Sequence, residues 1–96
     1  MSAYILMKIT VKDAEKLQSY QQIAPSIIDK YKGKLLVRGG EVVSLEGPSE
    51  HRRVVMVEFA SLNDAKQFYY SDEYAKAIQL RLGAAEFEMM AVQGLG

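Results

Sequence analysis

Arg38 stands at the end of the apolar run Leu35-Leu36-Val37, with Gly39 and Gly40 directly after it. A permanent cation beside two residues without side chains is a place where an anionic or carbonyl oxygen can come close to the backbone. Lys8 and Glu58 lie in two other apolar stretches, "AYILMKITV" (3–11) and "RRVVMVEFA" (52–60). A carboxylate flanked by two cations keeps its charge, and an arginine can meet it with two parallel hydrogen bonds. Arg38 and Glu58 are therefore the catalytic candidates. Lys8, Gly39, Gly40, Tyr69 and Tyr74 are the ligand-binding candidates. The two tyrosines belong to "FYYSDEY", where a buried hydroxyl needs a partner. Buried Arg–Glu pairs also serve purely structural ends.

Other chemistry finds little support. His51 is the only histidine, in the polar turn "GPSEHRR", with no neighbours at metal-ligand spacing. There are no cysteines, which removes disulfides, thiolate metal sites and a Cys nucleophile together. No nucleophile elbow, dinucleotide fingerprint or Walker loop occurs. No metal or cofactor is expected.

The elements that must position these residues can be read from periodicity. In residues 3–11, Ala3, Ile5, Met7, Ile9 and Val11 share one strand face. Tyr4, Leu6 and Lys8 fall on the other. Leu17, Tyr20, Ala24, Ile27, Ile28 and Tyr31 then recur at helical spacing after a plausible cap, Asp13. Pro25 is expected to kink or restart this helix, and Gly33 to end it. A second strand covers Leu35 to Val37, with a bulge or bend at Gly39-Gly40 and a resumption through Glu41 to Leu45. With Leu35 and Val37 toward the helices, Arg38 faces the open side together with Lys8 and Glu58. Ser61 and Ser71 cap two helical segments. Tyr74 and Arg81 fall seven apart on nearly one helix face, so Arg81 is read as snorkelling or pairing at the surface. "EFEMMAVQG" makes the last strand.

This order predicts one α+β domain over residues 1–96. It has the ferredoxin-like split βαββαβ plan, a four-stranded antiparallel sheet of order 4-1-3-2, and two helices on one face. The open face carries Tyr4, Leu6, Lys8, Val54, Met56, Glu58, Met90 and Val92. It is too apolar to leave in water. A second copy of the sheet is the expected cover, giving a homodimer with a cavity between the two sheets.

Twelve basic and twelve acidic residues give a net charge of zero, which argues against nucleic acid or an anionic membrane as partner. No stretch approaches the ~20 apolar residues of a membrane helix. Residues 1–11 read as a strand rather than a signal peptide, and a cytoplasmic location is expected.

"GKLLVRGGEVVSLEG", "RRVVMVEFASLNDAKQFYYSDEY", Tyr20, Pro25 and Arg81 resemble the domain-of-unknown-function family numbered 1330. The resemblance covers nearly the whole chain. Lys32 departs from it where a second glycine is common, Leu35 where an aromatic is common, and Ala60 and Asp72 where prolines are frequent. The resemblance implies a dimeric α+β barrel but no assigned activity. Its wider superfamily hosts cofactor-free monooxygenases, isomerases, haem enzymes and stress-related binding proteins. Haem is disfavoured by the turn position of His51. Two functions are carried forward: a cofactor-independent oxygenase- or isomerase-type enzyme acting on a small, partly apolar molecule, and a non-catalytic small-molecule-binding or stress-response dimer.

Overall fold

Strict alternation makes Ala3–Val11 a strand, β1, whose odd residues Ala3, Ile5, Met7 and Ile9 are all buried. Val11, at the strand end, is exposed. The computed structural model describes residues 1–95. In chain order, β1 is followed by α1 (Ala14–Lys30), β2 (Lys34–Arg38), β3 (Arg53–Phe59), α2 (Leu62–Tyr69), α3 (Asp72–Arg81) and β4 (Ala85–Gln93). The antiparallel sheet has the order β2-β3-β1-β4, which counted from the other edge is 4-1-3-2. The helices cover one face. Between them and the sheet lies the core, with Val57, Phe59, Phe68 and Tyr74 fully buried.

Three helices form, not two. Ser71 accepts a hydrogen bond from the Tyr74 N–H and donates its own hydroxyl to the Phe68 carbonyl. It thereby ends α2 and starts α3 at one residue. Asp13 and Ser61 cap α1 and α2 in the same way, accepting from the N–H groups of Lys16 and Asp64.

Pro25 does not break α1, which runs through it as a continuous helix of 17 residues. Nor is Gly33 the left-handed residue that closes this helix. That position is Lys32, at φ 64°. Its N–H donates to the Asp29 carbonyl, while the Gly33 N–H reaches back to Ile28. Gly33 is needed for space instead: a Cβ there would meet Ile28 and the Phe59 ring at 2.8 Å. The glycine common at position 32 in the resembled family fits the conformation found here.

The second strand ends at Arg38 and does not resume; residues 39–52 form no strand. Its register also changes. Leu35 stands opposite Val57, but Val37 stands opposite Met56, so Leu36 is the extra residue of a β-bulge. A one-residue insertion turns every later side chain over. Val37 therefore joins Met56 on the open face, and Arg38, opposite Val55, joins the helix side.

Candidate functional site

The register change separates the residues that sequence periodicity brings together. Arg38 lies on the helix side with Arg53, at the rim of a small pocket of about 70 Å3 beside Gln21 and Pro25. Glu58 stays on the open face. It stands opposite Tyr4 and Lys34, and its carboxylate accepts from the Tyr4 hydroxyl at 3.4 Å. The placement of Glu58 between Lys8 and Arg38 is thus not formed.

Lys8 is on the open face as expected but pairs with Glu50 at 3.4 Å. Arg52 completes that cluster, holding Glu50 with two hydrogen bonds of 2.8 and 3.0 Å and Glu88 at 2.7 Å. The Arg52 hydrogen bonds hold the Glu50 carboxyl down at about 2. Gly39 takes a left-handed φ of 70°, and a Cβ there would meet the flexible end of the Arg53 side chain at 2.6 Å. Gly40 faces open space. His51 is exposed in the connection before β3. Among the described residues, no group of three or more acidic or histidine side chains is placed to hold a metal ion. No described helix is long and apolar enough to cross a membrane.

A different set of groups converges on the helix side. Tyr74, Ala77 and Arg81 recur at three and four residues along α3, and this stripe points inward. All three are buried, Arg81 to 8% exposure. Its guanidinium carbon lies 3.8 Å from the centroid of the Phe87 ring, with Tyr20 and Tyr74 at 5.3 and 5.9 Å. These rings offset part of the cost of burying the cation, about 0.5–2 kcal/mol for each well-placed face. Nη2 of Arg81 reaches only the Met89 thioether sulfur, at 3.7 Å, and the buried Nε has no hydrogen-bond partner. Among the described residues no carboxylate pairs with Arg81.

Behind it, the Tyr20 and Tyr74 hydroxyls meet at 2.6 Å. Tyr74 also reaches Met89 Sδ, at 3.7 Å. Tyr20 donating to Tyr74, and Tyr74 to the sulfur, satisfies both contacts. Burial, reinforced by Tyr74, pushes the Tyr20 hydroxyl far above its usual range. It therefore stays a neutral donor.

Arg81 and Met89 line a cavity of about 470 Å3. It opens between α2, the end of α3 and the edge strand β4. Ile5, Phe87 and Ala91 give it an apolar floor, and Lys66 and Tyr69 stand on the α2 side. Tyr69 is thus found at a cavity wall. Tyr74 lies behind the wall rather than at the mouth. Sequence reading missed Arg81, Phe87 and Met89. The available signal was the seven-residue spacing from Tyr74 to Arg81, which puts a cation on an apolar stripe.

A family model described as a domain of unknown function (DUF1330) matches residues 2–95. The chain belongs to the DUF1330 family. No curated protein sequence matches it. A protein of unknown function from Rhodopseudomonas palustris superposes with a TM-score of 0.76 at 19% identity, over 99% of this chain and 83% of that one. SnoaB, a cofactor-independent oxygenase from Streptomyces nogalater, gives 0.69 at 9% identity, over 99% and 94%. A dimeric protein of unknown function with a ferredoxin-like fold, from Bacteroides fragilis, gives 0.65 at 14%, over 97% and 96%. At these identities the likeness is one of fold: this DUF1330 chain shares the ferredoxin-like α+β architecture.

Proposed function

We infer that this DUF1330 protein is a small homodimer that takes a small, partly apolar organic molecule into the helix-side cavity, as a cofactor-independent enzyme of oxygenase or isomerase type. The observation that carries this reading is the buried Arg81 guanidinium, which has no carboxylate partner among the described residues and stands in the wall of a cavity of ligand size. Reactions of either type that begin by taking a proton from a carbon beside a carbonyl develop an oxyanion on that carbonyl. A fixed cation in a dry site stabilises such a charge as it develops. Lys66, Tyr69 and Tyr70 are the lining groups able to exchange a proton with the bound molecule.

The homodimer would form through the open sheet face. Met90 and Val92 are about half exposed there, at 52% and 49%, and Leu6 and Met56 lie between them and the bulged strand. A second sheet is a natural cover for such a face. The Bacteroides protein of the same fold is dimeric, which supports a dimer here.

A second reading, a non-catalytic binding dimer, is favoured by one feature. Among the described residues, the cavity lining includes no carboxylate or histidine to serve as a strong base. Native mass spectrometry of freshly purified protein tests the shared part. A dimer that releases a bound organic molecule on denaturation is expected; a monomer with an empty cavity refutes it. Turnover of the released molecule, abolished in Arg81→Met, distinguishes the enzyme from the binder.

A further inference from the structure

We propose that the inner end of the helix-side cavity is a carboxylate site, in which a flat apolar monocarboxylate docks on Arg81 in place of the Met89 thioether. This rests on the reading of that cavity as a ligand site.

Three observations carry it. First, Nε–H and Nη2 lie along one edge of a guanidinium, and that edge matches the two oxygens of a carboxylate with parallel hydrogen bonds. In Arg81 this edge is the one left without an oxygen acceptor. Nε has no partner, and Nη2 has only a sulfur. A thioether is a weak acceptor. Second, the Tyr74 hydroxyl converges on the same sulfur, also at 3.7 Å. Met89 Sδ therefore stands where a carboxylate oxygen would accept from a cation and a hydroxyl together. Third, Met89 has an unbranched, freely turning side chain that borders the cavity. Rotating it toward the opening uncovers the guanidinium edge without moving the backbone.

The remaining walls define the rest of the molecule. Ile5, Phe87 and Ala91 suit a flat hydrocarbon body. There is one deep cation, so a single negative charge is matched. Lys66 sits at the opening and forms no ion pair among the described residues, which favours the entry of anions.

The test compares 2-naphthoate, 2-naphthamide and 2-naphthol, which share a ring system, by calorimetric titration of the full chain. The Met89 methyl resonance serves as reporter of position. Naphthoate is expected to bind and shift that resonance. The neutral amide and the naphthol should bind about tenfold to a hundredfold more weakly, the scale of charge-assisted hydrogen bonds. Arg81→Met, which keeps length and burial, should lose the preference for the acid and retain the amide. Equal binding of acid and amide overturns the carboxylate site while leaving the cavity reading intact. If none of the three moves the Met89 resonance, both readings fail. Should Arg81→Met not fold, the comparison of acid with amide on the wild-type chain decides the question alone.

Discussion

The Tyr20 and Tyr74 hydroxyls share a hydrogen bond of 2.6 Å between α1 and α3, in a core that keeps water from both. Each residue reaches the contact through a helical stripe, and their rings meet edge-on at 6.2 Å. Removing one hydroxyl leaves the other buried without its main partner. Tyr74→Phe is expected to destabilise the protein by about 1–3 kcal/mol. The double change Tyr20→Phe with Tyr74→Phe should cost less than the sum of the two single changes, because no orphaned donor remains. Urea denaturation of the four proteins measures this. Strict additivity would show that the hydroxyls do not interact.

Acid should weaken the fold in a defined window. Glu73 accepts from Lys30 and from the Tyr31 hydroxyl, the latter at 2.8 Å. Together, led by the Lys30 hydrogen bond, these hold its carboxyl at about 2, against an ordinary 4.5. Glu50 is held equally low by Arg52. A depressed folded value means stability that is fully present above about pH 4.5 and lost as pH falls toward 2. The melting temperature should therefore drop across that interval. Glu73→Gln should flatten the drop, since the neutral amide has no proton to take up. An unchanged slope would mean that the Lys30–Glu73–Tyr31 contact is not maintained in solution.

Lys32 carries a left-handed backbone that suits glycine better than a residue with a Cβ. Lys32→Gly relieves that cost, partly offset by the greater freedom of glycine in the unfolded chain. A gain of about 0.5–1 kcal/mol is expected, read as a rise of a few degrees in the melting temperature. Gly33→Ala, one residue on, should do the opposite, because its Cβ would meet Ile28 and Phe59. Equal effects from the two changes would overturn the division of labour between these positions.

Much of the fold was legible because its signals are local. The alternation in β1, the stripes of Leu17, Tyr20 and Ala24 or of Tyr74 and Ala77, and the caps Asp13, Ser61 and Ser71 each report on a few neighbouring residues. The facing of Arg38 was not legible. It depends on a single inserted residue, Leu36, and the two glycines that mark a bend in sequence stand just past the true bulge. Arg81 was hidden by its type. A cation on an apolar stripe reads as a surface group until Phe87 and Met89, from β4, are brought against it. That contact is tertiary, and no spacing within α3 encodes it.

The bulge gives the last prediction. Arg38 stands opposite Val55, three residues from Glu58 along β3, which is about 10 Å at the usual strand rise. The two also point to opposite faces of the sheet. Groups so placed act independently, so the coupling energy between Arg38→Met and Glu58→Gln should stay below about 0.5 kcal/mol. A pair joined by two hydrogen bonds would instead couple by about 1 kcal/mol or more. Deleting Leu36 should leave the coupling equally small, because it removes the bulge without moving the paired residues. Without the extra residue, Val37 would still follow Leu35 in register opposite Met56, and Arg38 would stay opposite Val55 on the helix side. A double-mutant cycle by denaturation, run in the parent and in the deletion background, should give the same small coupling in both. Strong coupling in the parent would mean that Arg38 does not hold its place opposite Val55 in solution.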